Sequence, residues 1–260
     1  MLIFSIVNQK GGVLKTTLTV NLGAGLALKG YNVLVIDLDS QCNLTQSLIG
    51  DIGDTKNISE IILSDGKENI FDVIQKTSVE RLHIAPAGES LASAELQMSN
   101  IMTRQYLLEK TLQNTFLNKY DFILIDNSPS IGLLTLNSLV ASHYALIPIS
   151  CEFLPMVGLK YIINTIKKVQ DDKRLNPDLE ILGYILTLYD KREAITLQVE
   201  NMLRERFGDK VFKNVIRINT KAKAAPAKQQ SIFHYENLKG RGTQDFKNLT
   251  IELIEKLKHE

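Results

Sequence analysis

The strongest constraint on the fold is the way the chain opens. An apolar run, Leu2 to Val7, leads into Gln9-Lys10-Gly11-Gly12-Val13-Leu14-Lys15-Thr16-Thr17, and a helical pattern follows from about Thr17 to Lys29. A strand, a glycine-bearing turn and a Lys-Thr pair opening a helix form the layout of a phosphate-binding loop. Backbone N–H groups at a helix N-terminus lack intrahelical partners, and the helix dipole places partial positive charge there. Gly11 and Gly12 let that backbone come close to phosphate oxygens. In such a loop Lys15 reaches the β- and γ-phosphates and the Thr16 hydroxyl sits on Mg²⁺. The match to G-x-x-x-x-G-K-[ST] is imperfect, because Gln9 stands at the first glycine position and Leu14 at the second. Taken by itself, the stretch also suits a strand-to-helix turn that binds nothing.

The order of the remaining elements argues for a nucleotide fold. Val33 to Ile36 is a second buried strand, ending in Asp37-Leu38-Asp39-Ser40-Gln41. Carboxylates at the C-terminal end of a parallel strand lie in the ligand crevice of an open α/β sheet. The residues alone also allow a turn, with Asp39 or Ser40 capping the next helix. Gly50 to Thr77 is polar, with short helical patches at Ile58 to Leu63 and Ile70 to Ile74. Leu82 to Pro86 reads as a third strand. Helical patterns cover about Leu91 to Met98 and Arg104 to Phe116. Phe122-Ile123-Leu124-Ile125-Asp126 is an apolar strand ending in a carboxylate, the form of a Walker B strand whose Asp holds Mg²⁺, usually through water. Further helices are expected at Leu133 to Ala141, Tyr161 to Val169 and Thr243 to Lys258, with strands at Ala145 to Ile149 and Ile181 to Leu188. Asp190 to Glu193 would cap a helix running to Phe207, and Val215-Ile216 would be a short strand. Near-continuous apolar strands alternating with helices predict an α/β fold: a doubly wound, mostly parallel sheet with helices on both faces.

Bulk composition narrows the function classes. The chain has 260 residues, 44% hydrophobic and 23% charged, which suits one globular domain over 1–260 with a large core. Its formal net charge is +1, so any nucleic-acid contact must come from a local patch. Arg217, Lys221, Lys223 and Lys228 supply one, with no acidic residue between the first and the last. Dense positive charge of this kind can hold phosphates without reading bases, a solvated loop or flexible tail being the other reading. Cys42 and Cys151 show no metal or disulfide spacing and read as small core residues in a reducing compartment. No apolar run is long enough to span a bilayer, and we expect a cytoplasmic protein.

Lys10-Gly11-Gly12-Val13-x-Lys15-Thr16-Thr17 resembles the deviant Walker A loop of the ParA/MinD family of ATPases, which typically has glycine where Leu14 stands. Over the whole chain the likeness is greatest to the short ParA/Soj-type partition ATPases. Glu252, Glu255 and Glu260 in the last helix would oppose an anionic bilayer, against the membrane-binding branch. The resemblance implies ATP and Mg²⁺ as cofactors, held by Lys10 through Thr17. Lys10 would cross an ATP-bound homodimer to the other subunit's phosphates; by composition alone it could equally be a solvated loop charge. Asp37 would join the Mg²⁺ and water shell, with Thr16 and Asp126 as the other metal-side residues, and Asp39 would orient the attacking water. Asn127-Ser128-Pro129-Ser130 resembles the switch segment D-x-P-P-S. Asn219 and Pro226 fall where the family wraps the adenine end. Ser150-Cys151-Glu152-Phe153 resembles a loop in which Glu152 would support the dimer or the nucleotide, a bland surface charge being the other reading. Arg192 and Lys221, supported by Lys223 and Lys228, would bind DNA.

These correspondences imply ATP-dependent plasmid or chromosome partition. The ATP-bound dimer would bind DNA non-specifically, associate with the nucleoid, and be reset by hydrolysis stimulated by a ParB-like centromere-binding protein. Two alternatives are a ParA-like ATPase that positions a protein cargo, and a nucleotide- or DNA-binding regulator whose turnover Leu14 has impaired.

Overall fold

A computed structural model describes residues 1–151 and 156–258. The strands are β1 (Leu2–Ile6), β2 (Val33–Leu38), β3 (Gln75–Lys76), β4 (Leu82–Ala85), β5 (Phe122–Asn127), β6 (Tyr144–Ser150) and β7 (Glu180–Thr187). The helices are α1 (Lys15–Leu28), α2 (Asn43–Leu48), α3 (Ile58–Leu63), α4 (Ser90–Met98), α5 (Leu107–Leu112), α6 (Leu133–Val140), α7 (Met156–Asp171), α8 (Ala194–Phe207), α9 (Thr220–Ala224), α10 (Ile232–Tyr235) and α11 (Arg241–Lys256).

The strands form one seven-stranded sheet in the order β3-β4-β2-β5-β1-β6-β7, parallel except at β3–β4. Alternate residues of each central strand point to opposite faces, and both faces are buried. Phe4, Ile6, Val33, Val35 and Leu124 pack beneath α1, α10 and α11. Ile3, Leu34, Ile36, Ile123 and Ile125 pack against α3 to α6. A continuation of that second layer holds α7 and α8 against β6 and β7. This double burial is why the strands read as unbroken apolar runs.

The topology creates a crevice. From β1 the chain crosses through α1 to β2, over β5; from β5 it crosses through α6 to β6, over β1. The two connections leave neighbouring strand ends in opposite directions, which is a topological switch point. Parallel register puts Ile6 opposite Asp126 and Asp126 opposite Asp37. The phosphate-type loop and both acidic strand ends therefore meet at one edge.

Several local expectations change. The pattern over Arg104 to Phe116 resolves into α5 and a 3-10 turn, Thr115–Lys119, because Asn114 caps the turn by accepting from the Phe116 N–H. Val215-Ile216 is not a strand: Ile216 donates to the Leu186 carbonyl and accepts from the Tyr189 N–H, but the pairing extends no further than isolated bridges, Tyr184–Val211 and Tyr189–Arg217. Neither Asp39 nor Ser40 caps α2, whose N-cap is Cys42 in the left-handed region with φ 53°. Asp190 does not cap α8; its carboxylate accepts from the Arg192 N–H and pairs with that guanidinium. Cys151 is buried, whereas Cys42 is only half-buried and lies at the crevice. Among the described residues no helix is long and apolar enough to cross a membrane.

Candidate active site

The loop between β1 and α1 is fastened before it reaches the helix. The buried Asn8 amide donates to the Pro148 carbonyl at 2.7 Å, and its Oδ1 accepts from the Lys10 N–H. Gly12 has φ +74° and Leu14 has φ 66°. A Cβ on Gly11 or Gly12 would meet no heavy atom within 4 Å, so the loop is an open cradle. The Lys15 ammonium reaches back along the loop, 3.4 Å from the Lys10 carbonyl. Burial lowers its pKa, opposed by the charges of Asp126 and Asp39.

Leu14 takes the left-handed conformation that the glycine of this motif would take. A β-carbon there is strained by about 1–2 kcal/mol. Its side chain is half-buried against the core and borders a cavity of about 20 Å³ with Thr17, Leu188, Ile216, Asn219 and Phe246. Packing on that side holds a conformation that backbone preference opposes.

The acidic strand ends converge on the first turn of α1. Asp126 accepts from the Thr16 hydroxyl at 2.6 Å and from the Thr19 hydroxyl at 3.3 Å. With its proton given to Asp126, the Thr16 oxygen keeps its lone pairs for a cation. Asp37 is fully buried and accepts from the Thr45 hydroxyl (2.7 Å), the Thr45 N–H (2.9 Å) and the Asp39 N–H (3.1 Å). Burial, more than the neighbouring Asp39 charge, pushes the Asp37 carboxyl up to about 6. Burial first, and then Asp37, also raises Asp126 well above the carboxylate range. Two carboxyls that are costly to ionise side by side form a site suited to a divalent cation. Among the described residues, no group of three or more His, Cys, Asp or Glu side chains is arranged to hold a metal ion. Mg²⁺ is typically bound by one or two carboxylates together with waters and phosphates. The cradle, the Thr16 hydroxyl and the paired acids fit a Mg-nucleotide on those terms.

Lys10, Lys15, Thr16, Asp37, Asp39 and Asp126 thus gather at one edge of the sheet. Asn219 caps α9, its Oδ1 accepting from the Lys221 and Ala222 N–H groups, and borders the small cavity beside Leu14. Pro226 lies apart, lining a groove with Asn43 and Gln46 of α2. The Asn127 side chain turns into the core, where its amide nitrogen lies near Ser5, Ser138 and two backbone carbonyls; Pro129 and Ser130 are the exposed part of that segment. Glu152 lies outside the described residues.

The basic stretch is not a loop. It forms α9 and a 3-10 turn, Ala225–Lys228, and Arg217 is tied to Asp245 on α11. Lys221 and Lys223 are exposed on α9. Arg192 is 84% exposed while paired with Asp190, and the Tyr189–Arg217 bridge brings its loop beside the start of this stretch. Lys228 faces a separate groove with Gln75, Lys76 and Ser78. Sequence reasoning missed the groups that orient the site, namely Asn8, Thr19, Thr45 and Thr187. Asn8, Thr19 and Thr187 act on partners 140, 107 and 174 residues away, and Thr45 reaches back eight residues to Asp37, pairings that no local pattern records.

A family model described as an AAA domain matches residues 1–181. The chain is 40% identical to the sporulation initiation inhibitor protein Soj of Bacillus subtilis, over 96% of this chain and 97% of that one. It is 36% identical to the chromosome partitioning protein ParA of Caulobacter vibrioides, over 97% and 93%. A crystal structure of cobyrinic acid a,c-diamide synthase from Mycobacterium smegmatis, with bound ADP and magnesium, superposes with TM-score 0.85 at 30% identity, covering 99% and 96%. The synthase activity named there differs from partition, so the fold is no guide to cargo. The sequence identities and the P-loop architecture agree: the chain belongs to the ParA/Soj family of partition ATPases.

Proposed function

We propose that the protein is an ATP-driven partition switch in which Mg-ATP binding to Lys10 through Thr17 drives dimerisation and non-specific DNA binding, and hydrolysis resets it. The convergence of Lys15, Thr16, Asp37 and Asp126 at the crevice carries this reading. Thr16 and, through water, Asp126 and Asp37 would hold Mg²⁺, which when bound neutralises charge on the β- and γ-phosphate oxygens. Lys15 adds a buried positive charge at the same edge, and the backbone N–H groups of the loop add their dipoles. Asp39, a short step beyond Asp37, is held with Oδ1 accepting from the Gln41 N–H and orients the attacking water. Lys10 sits at the mouth of the loop, where it can cross to a second copy. No covalent step is needed, because positioning and charge stabilisation do most of the work in phosphoryl transfer.

Arg192, Lys221 and Lys223 form the DNA-facing corner, and Lys228 extends it around the β3 edge. Two subunits together would double this patch, which lets a near-neutral chain bind DNA. The adenine end would lie toward Asn219 and Pro226. A ParB-like centromere-binding protein would stimulate turnover and so release the dimer near its cargo. Leu14 already holds the loop geometry with its side chain packed on the core side, which supports a nucleotide-competent loop over a disabled one. Purified protein should bind Mg-ATP, become dimeric by light scattering, and then retain DNA of unrelated sequence. Dimerisation without DNA retention would instead support positioning of a protein cargo.

A further inference from the structure

We infer that Thr187 is a positioning residue for the phosphate loop: together with Leu14 it clamps the Val13–Leu14 peptide so that the Leu14 N–H faces the cradle. Thr187 is the last residue of β7 and stands in an apolar run, Ile185-Leu186-Thr187-Leu188. It is fully buried, and its hydroxyl donates to the Val13 carbonyl at 3.1 Å. Packing alone would favour valine at such a place, so the hydroxyl is there for its acceptor. Val13 is itself buried. A trans peptide is planar, with its N–H pointing opposite to its C=O. Fixing the Val13 carbonyl toward β7 therefore aims the Leu14 N–H away from β7, into the loop.

The other half of the clamp is apolar. Leu14 and Leu188 are both in the left-handed region, with φ 66° and φ 49°, and both border the same small cavity. A strained residue persists when its surroundings over-determine it. Leu188 turns the chain immediately after Thr187, while the Thr187 carbonyl accepts from the Cys151 N–H and fixes the strand end. The hydrogen bond holds the peptide at the Val13 carbonyl, and packing of the Leu14 side chain on the core beneath α1 and α11 holds the residue that follows it. This arrangement takes over the service that glycine freedom gives in the usual motif. The anion to be held is the phosphate chain of a nucleotide, so the inference rests on the phosphate-loop reading above.

The test is calorimetric binding of Mg-ADP to wild-type protein and to Thr187→Val, Thr187→Ser and Lys15→Ala, with the melting temperature of each in the absence of nucleotide. Losing one aligned donor through a misplaced peptide should weaken Thr187→Val about tenfold, a loss of the order of one hydrogen bond. Thr187→Ser should recover most of that loss. Amide NMR should show the Leu14 N–H shifting on ADP addition in the wild type and in Thr187→Ser, and far less in Thr187→Val. Wild-type affinity in Thr187→Val, or equal weakening in Val and Ser, overturns the inference. If Thr187→Val does not fold, Thr187→Ala replaces it, and the clamp requires Ser to bind more tightly than Ala. Lys15→Ala separates the two claims. If it binds like wild type, the phosphate-loop reading fails; if it loses binding while Thr187→Val does not, only the clamp fails.

Discussion

Leu14 shows how a single residue can contradict a motif and still keep its geometry. In the left-handed region a β-carbon is penalised, whereas the leucine side chain gains packing against the core beneath α1 and α11. Truncation to alanine keeps the penalty and removes the packing; truncation to glycine removes both. Leu14→Ala should therefore be less stable than Leu14→Gly by about 1 kcal/mol, the reverse of the order in a helix interior. Urea denaturation of the two variants decides this, and an alanine variant more stable than the glycine one would remove the strain. Asp37 gives a second prediction, with a definite sign. Its carboxyl is raised from 3.8 to about 6 by burial, so the folded state holds the proton more tightly than the unfolded chain. Without Mg²⁺, its contribution to stability is full below about pH 4 and is lost as pH rises through about 6. Relative to wild type in EDTA, Asp37→Asn should thus gain stability between pH 4 and 7, by up to about 3 kcal/mol. A flat difference in melting temperature across that range would contradict it.

The helix α1 illustrates the element scale, because it serves both the loop and the core. Gly25 lies where α1 meets α11, and a Cβ there would collide with the Thr250 hydroxyl oxygen. Helix propensity alone would reward Gly25→Ala by about 1 kcal/mol. We expect the opposite sign, a net loss of about 1–3 kcal/mol from overpacking, measurable by thermal unfolding. The contrast marks what the sequence made legible. Apolar runs ending in Asp37 and Asp126, and the Lys-Thr pair at the head of α1, displayed the sheet and its ligand edge, because parallel strands buried on both faces leave an unbroken hydrophobic record. The same reading gave α2 only as a helix without bounds after the Asp pair, and missed α9 and α10, which are short and carry no periodicity. It placed the basic residues on a loop, because the Asn219 cap that turns them into helix sits among lysines and alanines. It could not see that Thr45, on the helix just after β2, reaches back to hold Asp37, since no residue pattern marks that pairing, or that Thr187 holds Val13, since those two meet only after β7 has joined the sheet.

The whole molecule is a near-neutral body with a basic corner beside a nucleotide crevice. The proposed DNA binding should be independent of sequence and steep in salt. Lys221→Glu or Arg192→Glu should weaken binding to unrelated duplexes alike, and each should reduce the slope of log affinity against log salt by about 1. A change confined to one DNA sequence would argue for base readout instead. The arrangement of Lys15, Thr16, Asp37 and Asp126 matters only if nucleotide occupancy governs that surface. The most direct measurement is therefore Mg-ATP binding by the purified chain, followed by phosphate release with and without DNA, in wild type and Lys15→Ala. The account predicts saturable binding that Lys15→Ala abolishes, and slow phosphate release that DNA increases. Absence of wild-type binding, or turnover that survives in Lys15→Ala, would contradict it.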